Sequence, residues 1–384
     1  MVRTLSLLSL VMLLYIICRT ILPLRVRWWW KVLLALLLVP AAFKFAVLRL
    51  LNPDGSYFVP EVPAAVLLPF TWLNICFLIF CVFLLAAEPL KLLVWATARM
   101  HGCRMEKWWH LFRNALHVAV LAAAMGCTTL GMHNALQQPA VTEWTVELEG
   151  MPADARPVKM ALLADLHADV LKRAPFFEEL VQRTNALNAD IIALAGDYVD
   201  GRLEKYSEDL RPLAKLHAPM GVYAVSGNHD IYSDYSEWGP YLSSLGITML
   251  NNAHVAPPNA GLVLAGVTDI SAESHGEEPT DLPRALRGAP AGLPVVLLAH
   301  QPRFATVAAE NGVAVMLAGH THGGMARGFD KVVAASNSGY VAGAYQVGNM
   351  QLYVSRGTNL WSGMLLRLGV PSEITLITFK PKAH

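Results

Sequence analysis

No cysteine occurs after residue 127. All five (Cys18, Cys76, Cys81, Cys103 and Cys127) precede residue 130 and none stands in a Cys-x-x-Cys pair. The remainder of the chain therefore has neither disulfides nor thiolate metal ligands. Charge is also scarce: charged residues are 15% of the chain and the net charge is +1, without the basic stripe of a nucleic-acid reader, so no nucleic-acid partner is expected. No Gly-x-Gly-x-x-Gly or Walker loop follows a strand, so no nucleotide cofactor and no cofactor-binding residues are expected. Internal repeats and low-complexity tracts are missing as well. What abounds is apolar sequence. Hydrophobic residues reach 54%, too many for an ordinary soluble enzyme, and the excess sits in the first third.

Four apolar segments there, about 5–24, 32–51, 62–87 and 115–136, each have the roughly 20-residue length of a membrane span. The first reads as a span rather than a cleaved signal, because bulky residues and Arg19 follow its core and no small-residue cleavage site is evident. Residues 1–138 are thus expected to form a four-helix transmembrane domain and 139–384 a separate extramembrane domain. Arg19, Arg25, Arg27 and Lys31 occupy the first connection, and Lys91, Arg99, Arg104, Lys107 and Arg113 the third. The second has Asp54 and Glu61 and no base. The positive-inside rule places connections one and three in the cytoplasm. The N-terminus and everything after the fourth span then lie outside, giving a bacterial inner or plasma membrane protein with an extracytoplasmic domain. Trp28–Trp30, Trp95, Trp108 and Trp109 suit an interfacial belt. Lys44, Asn74 and Glu88 form no paired series, and snorkelling or interhelical hydrogen bonds explain them better than an ion pathway.

From residue 158 the pattern alternates strand, polar loop and helix, which predicts an α/β domain. Five apolar strands end in polar clusters. Residues 158–164 lead to Asp165-Leu166-His167, and 191–195 to Gly196-Asp197. Residues 222–226 lead to Gly227-Asn228-His229-Asp230, 295–299 to His300, and 313–318 to Gly319-His320-Thr321-His322-Gly323-Gly324. In extended backbone, residues i and i+2 face one side, so paired Asp/His or His/His side chains can converge on one ion. Each cluster alone has an ordinary reading: a loop, a helix cap, a turn, a core histidine. Five such clusters, always after a strand, point instead to one site at the carboxyl ends of a sheet.

The ordered set Asp165-x-His167, Gly196-Asp197, Gly227-Asn228-His229-Asp230, His300 and Gly319-His320-x-His322 resembles the calcineurin-like metallophosphoesterases, over about residues 158–380. The closer likeness is to the bacterial membrane-associated or exported branch, through Gly-Asp-Tyr-Val at 196–199, Gly-His-Thr-His-Gly-Gly at 319–324, Tyr-Val-x-Arg-Gly at 353–357 and Pro371-Ser372-Glu373-Ile374-Thr375. The resemblance implies a four-layer α/β/β/α sandwich with two divalent metals. Asp165, His167 and His322 would bind the first, Asp197 would bridge, and Asn228, His300 and His320 would bind the second. His229 would approach the leaving group, with Asp230 holding its ring. A bridging hydroxide would attack phosphorus, and His229 would protonate the leaving oxygen. Mixed N/O ligands suit Mn first, with Fe or Zn also possible. Ala164 departs from the pattern where Ser or Thr often stands, removing a hydrogen bond behind the site. Asp169 adds negative charge that would disfavour dianionic monoesters. Arg356 is a candidate phosphate-binding residue, and Asp200 and Arg327 are secondary candidates.

The expected function is a membrane-anchored phosphodiesterase or pyrophosphatase acting on a lipid or envelope phosphoester. The alternatives are a phosphomonoesterase or nucleotidase on soluble extracytoplasmic substrates, and a transport or sensing membrane protein with a regulatory phosphoesterase domain. An apolar stretch at 359–370, with Leu360, Trp361, Met364, Leu365, Leu366 and Leu368, reads as packing under the sheet or as a lipid contact.

Overall fold

The computed structural model describes residues 2–51, 61–100 and 105–382. The acidic connection with Asp54, and Cys103 with Arg104, lie outside the described residues. The chain divides into two compact units, Met1–His133 with Gly363–Leu366, and Asn134–Ser362 with Arg367–His384.

The first unit is helical: α1 (Val2–Ile16, continued by a wider turn Ile17–Ile21), α2 (Trp28–Ala42), α3 (Lys44–Leu51), α4 (Ala64–Ala86), α5 (Glu88–Met100) and α6 (Met105–Ala135). By length and composition two helices can cross a membrane, Ala64–Ala86 and the Trp108–Ala135 part of α6, or up to three with the bent pair α2–α3. The four expected spans are corrected accordingly. The segment 32–51 is not one rod but bends by 77°, next to Pro40, which removes a helical hydrogen bond. At the bend, the Ala41 carbonyl accepts from Asn74 Nδ2 at 2.7 Å. The first apolar helix is short. Lys44, at the bend, is buried and donates to the Gly363 carbonyl at 2.5 Å. Glu88 accepts from Tyr15 at 2.7 Å and from Lys91 at 2.6 Å, and also pairs with Arg19. These polar groups are therefore satisfied locally.

The second unit holds twelve strands among the described residues: β1 (Ala140–Leu148), β2 (Val158–Leu163), β3 (Ile191–Ala195), β4 (Val222–Val225), β5 (Thr248–Met249), β6 (Ala253–Val255), β7 (Val263–Gly266), β8 (Val295–Leu298), β9 (Val315–Ala318), β10 (Gly343–Val347), β11 (Met350–Val354) and β12 (Glu373–Pro381). They build two mixed six-stranded sheets, ordered β1-β12-β2-β3-β4-β5 and β10-β11-β9-β8-β7-β6. β2, β3, β4 and β5 run parallel, as do β7, β8, β9 and β11. Short apolar runs such as β3 and β9, buried at every position, are what parallel strands covered on both faces require.

One apolar core joins residues of both sheets, including Met160, Leu162, Val225, Leu264, Leu298 and Leu317. A second packs α7 (Ala174–Asn185), α8 (Leu203–Leu210) and α10 (Tyr235–Ser244) on the first sheet, through Phe177, Leu180, Leu210 and Trp238, while the short α9 (Asn228–Tyr232) buries Ile231. A third packs α11 (Leu282–Leu286) and α12 (Ala305–Glu310) on the second. The order helix, sheet, sheet, helix leaves the carboxyl ends of β2, β3, β4, β8 and β9 gathered along one edge.

Candidate metal centre

Each of those five strands ends in a loop that turns at once, and after β2, β3 and β9 the turn is carried by ligand-type residues in the left-handed region. Positive φ angles occur at Asp165 (58°), His167 (45°), Asp197 (58°), His320 (73°) and His322 (49°). Non-glycine residues adopt this conformation rarely and at a cost of about 1–3 kcal/mol each, a strain that clusters at functional sites. Close approach completes the loops. A Cβ at Gly227 would stand 2.3 Å from the Asp197 amide nitrogen and from its Oδ1.

The loops deliver three groups whose possible ligand atoms lie within 4.8 Å of one another: Asp165/His167/His322, Asp197/His300/His320, and His167/Asp200/His229, the last joined by hydrogen bonds through Asp200. His167 Nε2 is 3.7 Å from Asp197 Oδ2, and His300 Nε2 is 3.1 Å from the same oxygen. Asp197 thus stands between the first two groups. Asn228 joins the second, its Oδ1 2.7 Å from His320 Nδ1. All seven expected ligand residues are brought together.

The imidazoles are held from behind. His300 Nδ1 donates to the Ala195 carbonyl at 2.7 Å, His322 Nδ1 to the Asn359 carbonyl at 3.2 Å, and His167 Nδ1 to Asp200 Oδ2 at 3.0 Å. In the neutral ring each bond leaves Nε2 with the lone pair. His167 Nε2 and His300 Nε2 are buried and make no hydrogen bond. Buried polar atoms are seldom left so. Two orphaned ring nitrogens directed at a carboxylate are what a divalent cation would satisfy, so the residues fit the expected metals.

The ring of His229 is held by Asp200, not Asp230. Asp200 Oδ1 accepts from His229 Nδ1 at 2.5 Å while its other oxygen takes His167. Asp230 is the third residue of α9. It reaches back to the Gly227 amide at 2.7 Å and takes the Asp197 and Tyr198 amides at 2.9 and 2.7 Å. This is half of a capping box, and it shapes the Asp197 loop instead of the ring. Burial would favour a neutral Asp200, but His167 and His229 outweigh it and hold the carboxyl down to about 2.

The expected phosphate ligand Arg356 pairs with Glu373. Its Nε donates to Glu373 Oε2 at 2.8 Å and its amide to Oε1 at 2.9 Å. Because Glu373 is buried, Arg356→Gln should lower stability by up to about 3 kcal/mol, discounted for the partly exposed arginine, and leave KM unchanged. Thermal unfolding and steady-state kinetics check both. Arg327 donates to the Gly369 carbonyl at 3.2 Å and is exposed. Asp169 is buried, and its Oδ1 accepts from the Leu171 and Lys172 amides at 2.7 and 3.0 Å. It closes its own turn and is not a solvated charge.

Two supporting residues escape sequence reading. Arg367, 1% exposed, donates to the carbonyls of His322, Arg356 and Asn359, each at 2.8 Å. Asn359 donates Nδ2 to the Leu166 carbonyl at 2.8 Å. Both lie in the apolar stretch after β11, where no motif marks them.

Residues 158–324 match the family model described as Calcineurin-like phosphoesterase. A transmembrane protein with metallophosphoesterase domain from Bos taurus is 32% identical over 363 residues, covering 90% of this chain and 79% of its own. The chain belongs to the calcineurin-like phosphoesterase family. An uncharacterized metallophosphoesterase of Helicobacter pylori is 31% identical over 272 residues, covering 70% and 72%. Phosphodiesterase YaeI of Escherichia coli is 31% identical over 236 residues, covering 58% and 83%. The likeness therefore extends to animal proteins and is not confined to a bacterial branch. This calcineurin-like phosphoesterase is a metal-dependent phosphoric ester hydrolase and a membrane protein.

Metal uptake should depend on pH. Burial disfavours a charged His167, but Asp200, Asp197 and Asp165 outweigh it and hold the metal-free ring up to about 9. Its Nε2 must lose a proton to bind a cation. Loading below about pH 9 should therefore release protons, with affinity rising toward that pH. Titration calorimetry in buffers of different ionisation enthalpy measures this; no proton release at pH 7 would contradict it.

Proposed function

We propose that the protein is a membrane-anchored phosphodiesterase or pyrophosphatase with two divalent metals, acting on a lipid or envelope phosphoester outside the cytoplasm. The observation that carries the reading is Asp197 standing between two ligand groups, with the Asp200–His229 pair alongside. Asp165, His167 and His322 would hold one ion and Asn228, His300 and His320 the other, with Asp197 shared. When bound, such a pair supplies Lewis-acid charge that activates water and neutralises phosphoryl oxygens. The Nδ1 ligation by Asp200 turns His229 Nε2 away from the carboxylate and toward the open side. Burial opposes its cation, but Asp200 and Asp197 outweigh burial and raise its pKa above that of ordinary imidazole. His229 can thus carry a proton to a departing alkoxide. The name of the Escherichia coli relative favours diesters. Mn suits the mixed N/O donors, ahead of Fe or Zn.

The orientation rests on the basic connections. Arg19 and Lys91, from two of them, meet on one carboxylate, Glu88, which supports placing both on the same side. Alkaline phosphatase fused after residue 384 should be active, and a cytoplasm-only fluorescent reporter dark. For the reaction, phosphorus NMR of Mn-loaded full-length protein with envelope lipid extract is decisive. Decay of one diester or diphosphate signal with appearance of a monoester is expected. Persistent lipid signals with cleavage of added soluble phosphoesters would move the substrate into solution.

A further inference from the structure

Two clefts of the α/β unit lie outside the metal centre, and the larger of them suits a ligand. It has a volume of about 680 Å³ and is lined by Gln138, Leu171, Lys172, Phe176, Glu179 and Arg183, among others. Gln138 follows the end of α6, at Ala135, by three residues, so the cleft opens where the chain leaves an apolar helix long enough to span a bilayer.

Two of its side chains are chemically incomplete. Lys172 is 3% exposed. Its ammonium makes no hydrogen bond or ion pair with any described residue and rests 4.1 Å from the centroid of the Phe176 ring. Gln138 donates Nε2 to the Phe176 carbonyl at 3.0 Å, but its buried Oε1 accepts from nothing among the described residues. The other charges are engaged. Arg183 lies 3.5 Å from Glu179 and donates to the Pro139 carbonyl at 3.1 Å. Asp169 Oδ1 is taken up by the Leu171 and Lys172 amides, while its Oδ2 is buried without a hydrogen-bond partner among the described residues. One buried cation therefore remains without a hydrogen-bond partner, the Asp169 carboxylate acting on it only through space, beside a free acceptor and the apolar side chains of Leu171 and Phe176. A buried charge without a hydrogen-bond partner is costly, and an anion entering the cleft would lower that cost.

We infer that this cleft binds the phosphate headgroup of an anionic lipid, Lys172 pairing with the phosphate and Gln138 Oε1 accepting from a headgroup hydroxyl. These apolar side chains and the position after α6 suit a ligand presented by the bilayer. The site is separate from the metal centre and does not depend on its chemistry.

Native mass spectrometry of the full-length protein in detergent, with EDTA present, tests this using dihexanoyl phosphatidylglycerol, dihexanoyl phosphatidylcholine and inorganic phosphate. One phosphatidylglycerol should bind, at least about tenfold more tightly than either other probe. Lys172→Met should weaken it by at least about tenfold. Gln138→Leu, which leaves the charge in place, should weaken it severalfold. Hydrolysis of a soluble aryl phosphodiester by the metal-loaded variants reports that they are folded. Unchanged binding in folded Lys172→Met overturns the site; if that variant does not fold, unchanged binding in Gln138→Leu does. Inorganic phosphate binding as tightly as the lipid overturns the lipid assignment and leaves a free-anion site.

Discussion

Asp197→Asn is expected to lower turnover at least about a thousandfold, because one residue serves both halves of the centre. His167 and His300 approach its Oδ2, at 3.7 and 3.1 Å. Its Oδ1 takes the His229 amide at 2.7 Å. An amide in place of the carboxylate keeps the shape but removes the charge that draws two cations together. Metal analysis should show fewer than two ions per chain, while thermal unfolding of the metal-free variant stays near that of the parent. Near-normal activity with full metal content would sink the assignment of Asp197 as the shared ligand.

Asp200→Asn should have the second-largest effect, and its size should depend on the substrate. The carboxylate orients two rings, His167 on the metal side and His229 on the leaving-group side. With an alkyl diester, whose alkoxide needs a proton, kcat should fall by about 10²–10⁴. With a nitrophenyl diester, whose phenolate leaves unprotonated, the acid contribution vanishes and the fall should be confined to about 10–100-fold from the weakened metal ligand. His229 also loses the charge that raises its pKa, so the basic limb of the pH profile should move to lower pH. Equal losses on both substrates with an unmoved limb would remove His229 from the role of acid.

The sequence makes the strand ends legible because the same chemistry recurs. A buried parallel strand needs an apolar run, and a ligand loop needs Asp, His or Asn immediately after it. β2, β3, β4, β8 and β9 all show both. Which carboxylate serves His229 is not legible. Asp230 adjoins it in the motif while Asp200 stands 29 residues earlier, after Gly196-Asp197, and the choice depends on α9, whose first turn pulls Asp230 back to the Gly227 amide. Arg367 is hidden for another reason. It stands in an apolar stretch, and its role rests on carbonyl oxygens, which any sequence supplies. In the helical unit, apolar length alone overcounts the spans, because it cannot register the bend after Pro40.

The place of β12 bears on how the protein is made. It lies between β1 and β2 in the first sheet, parallel to the one and antiparallel to the other. A ribosome releases β1 more than two hundred residues before its partner. Until β12 emerges, β1 has no neighbour in its sheet and β2 has an open edge. Unpaired edges in a nascent chain invite wrong pairing. Premature termination within Glu373–Pro381 would therefore do more than trim a tail: it would withhold the strand that joins β1 to the sheet, and would remove Glu373 from Arg356 as well.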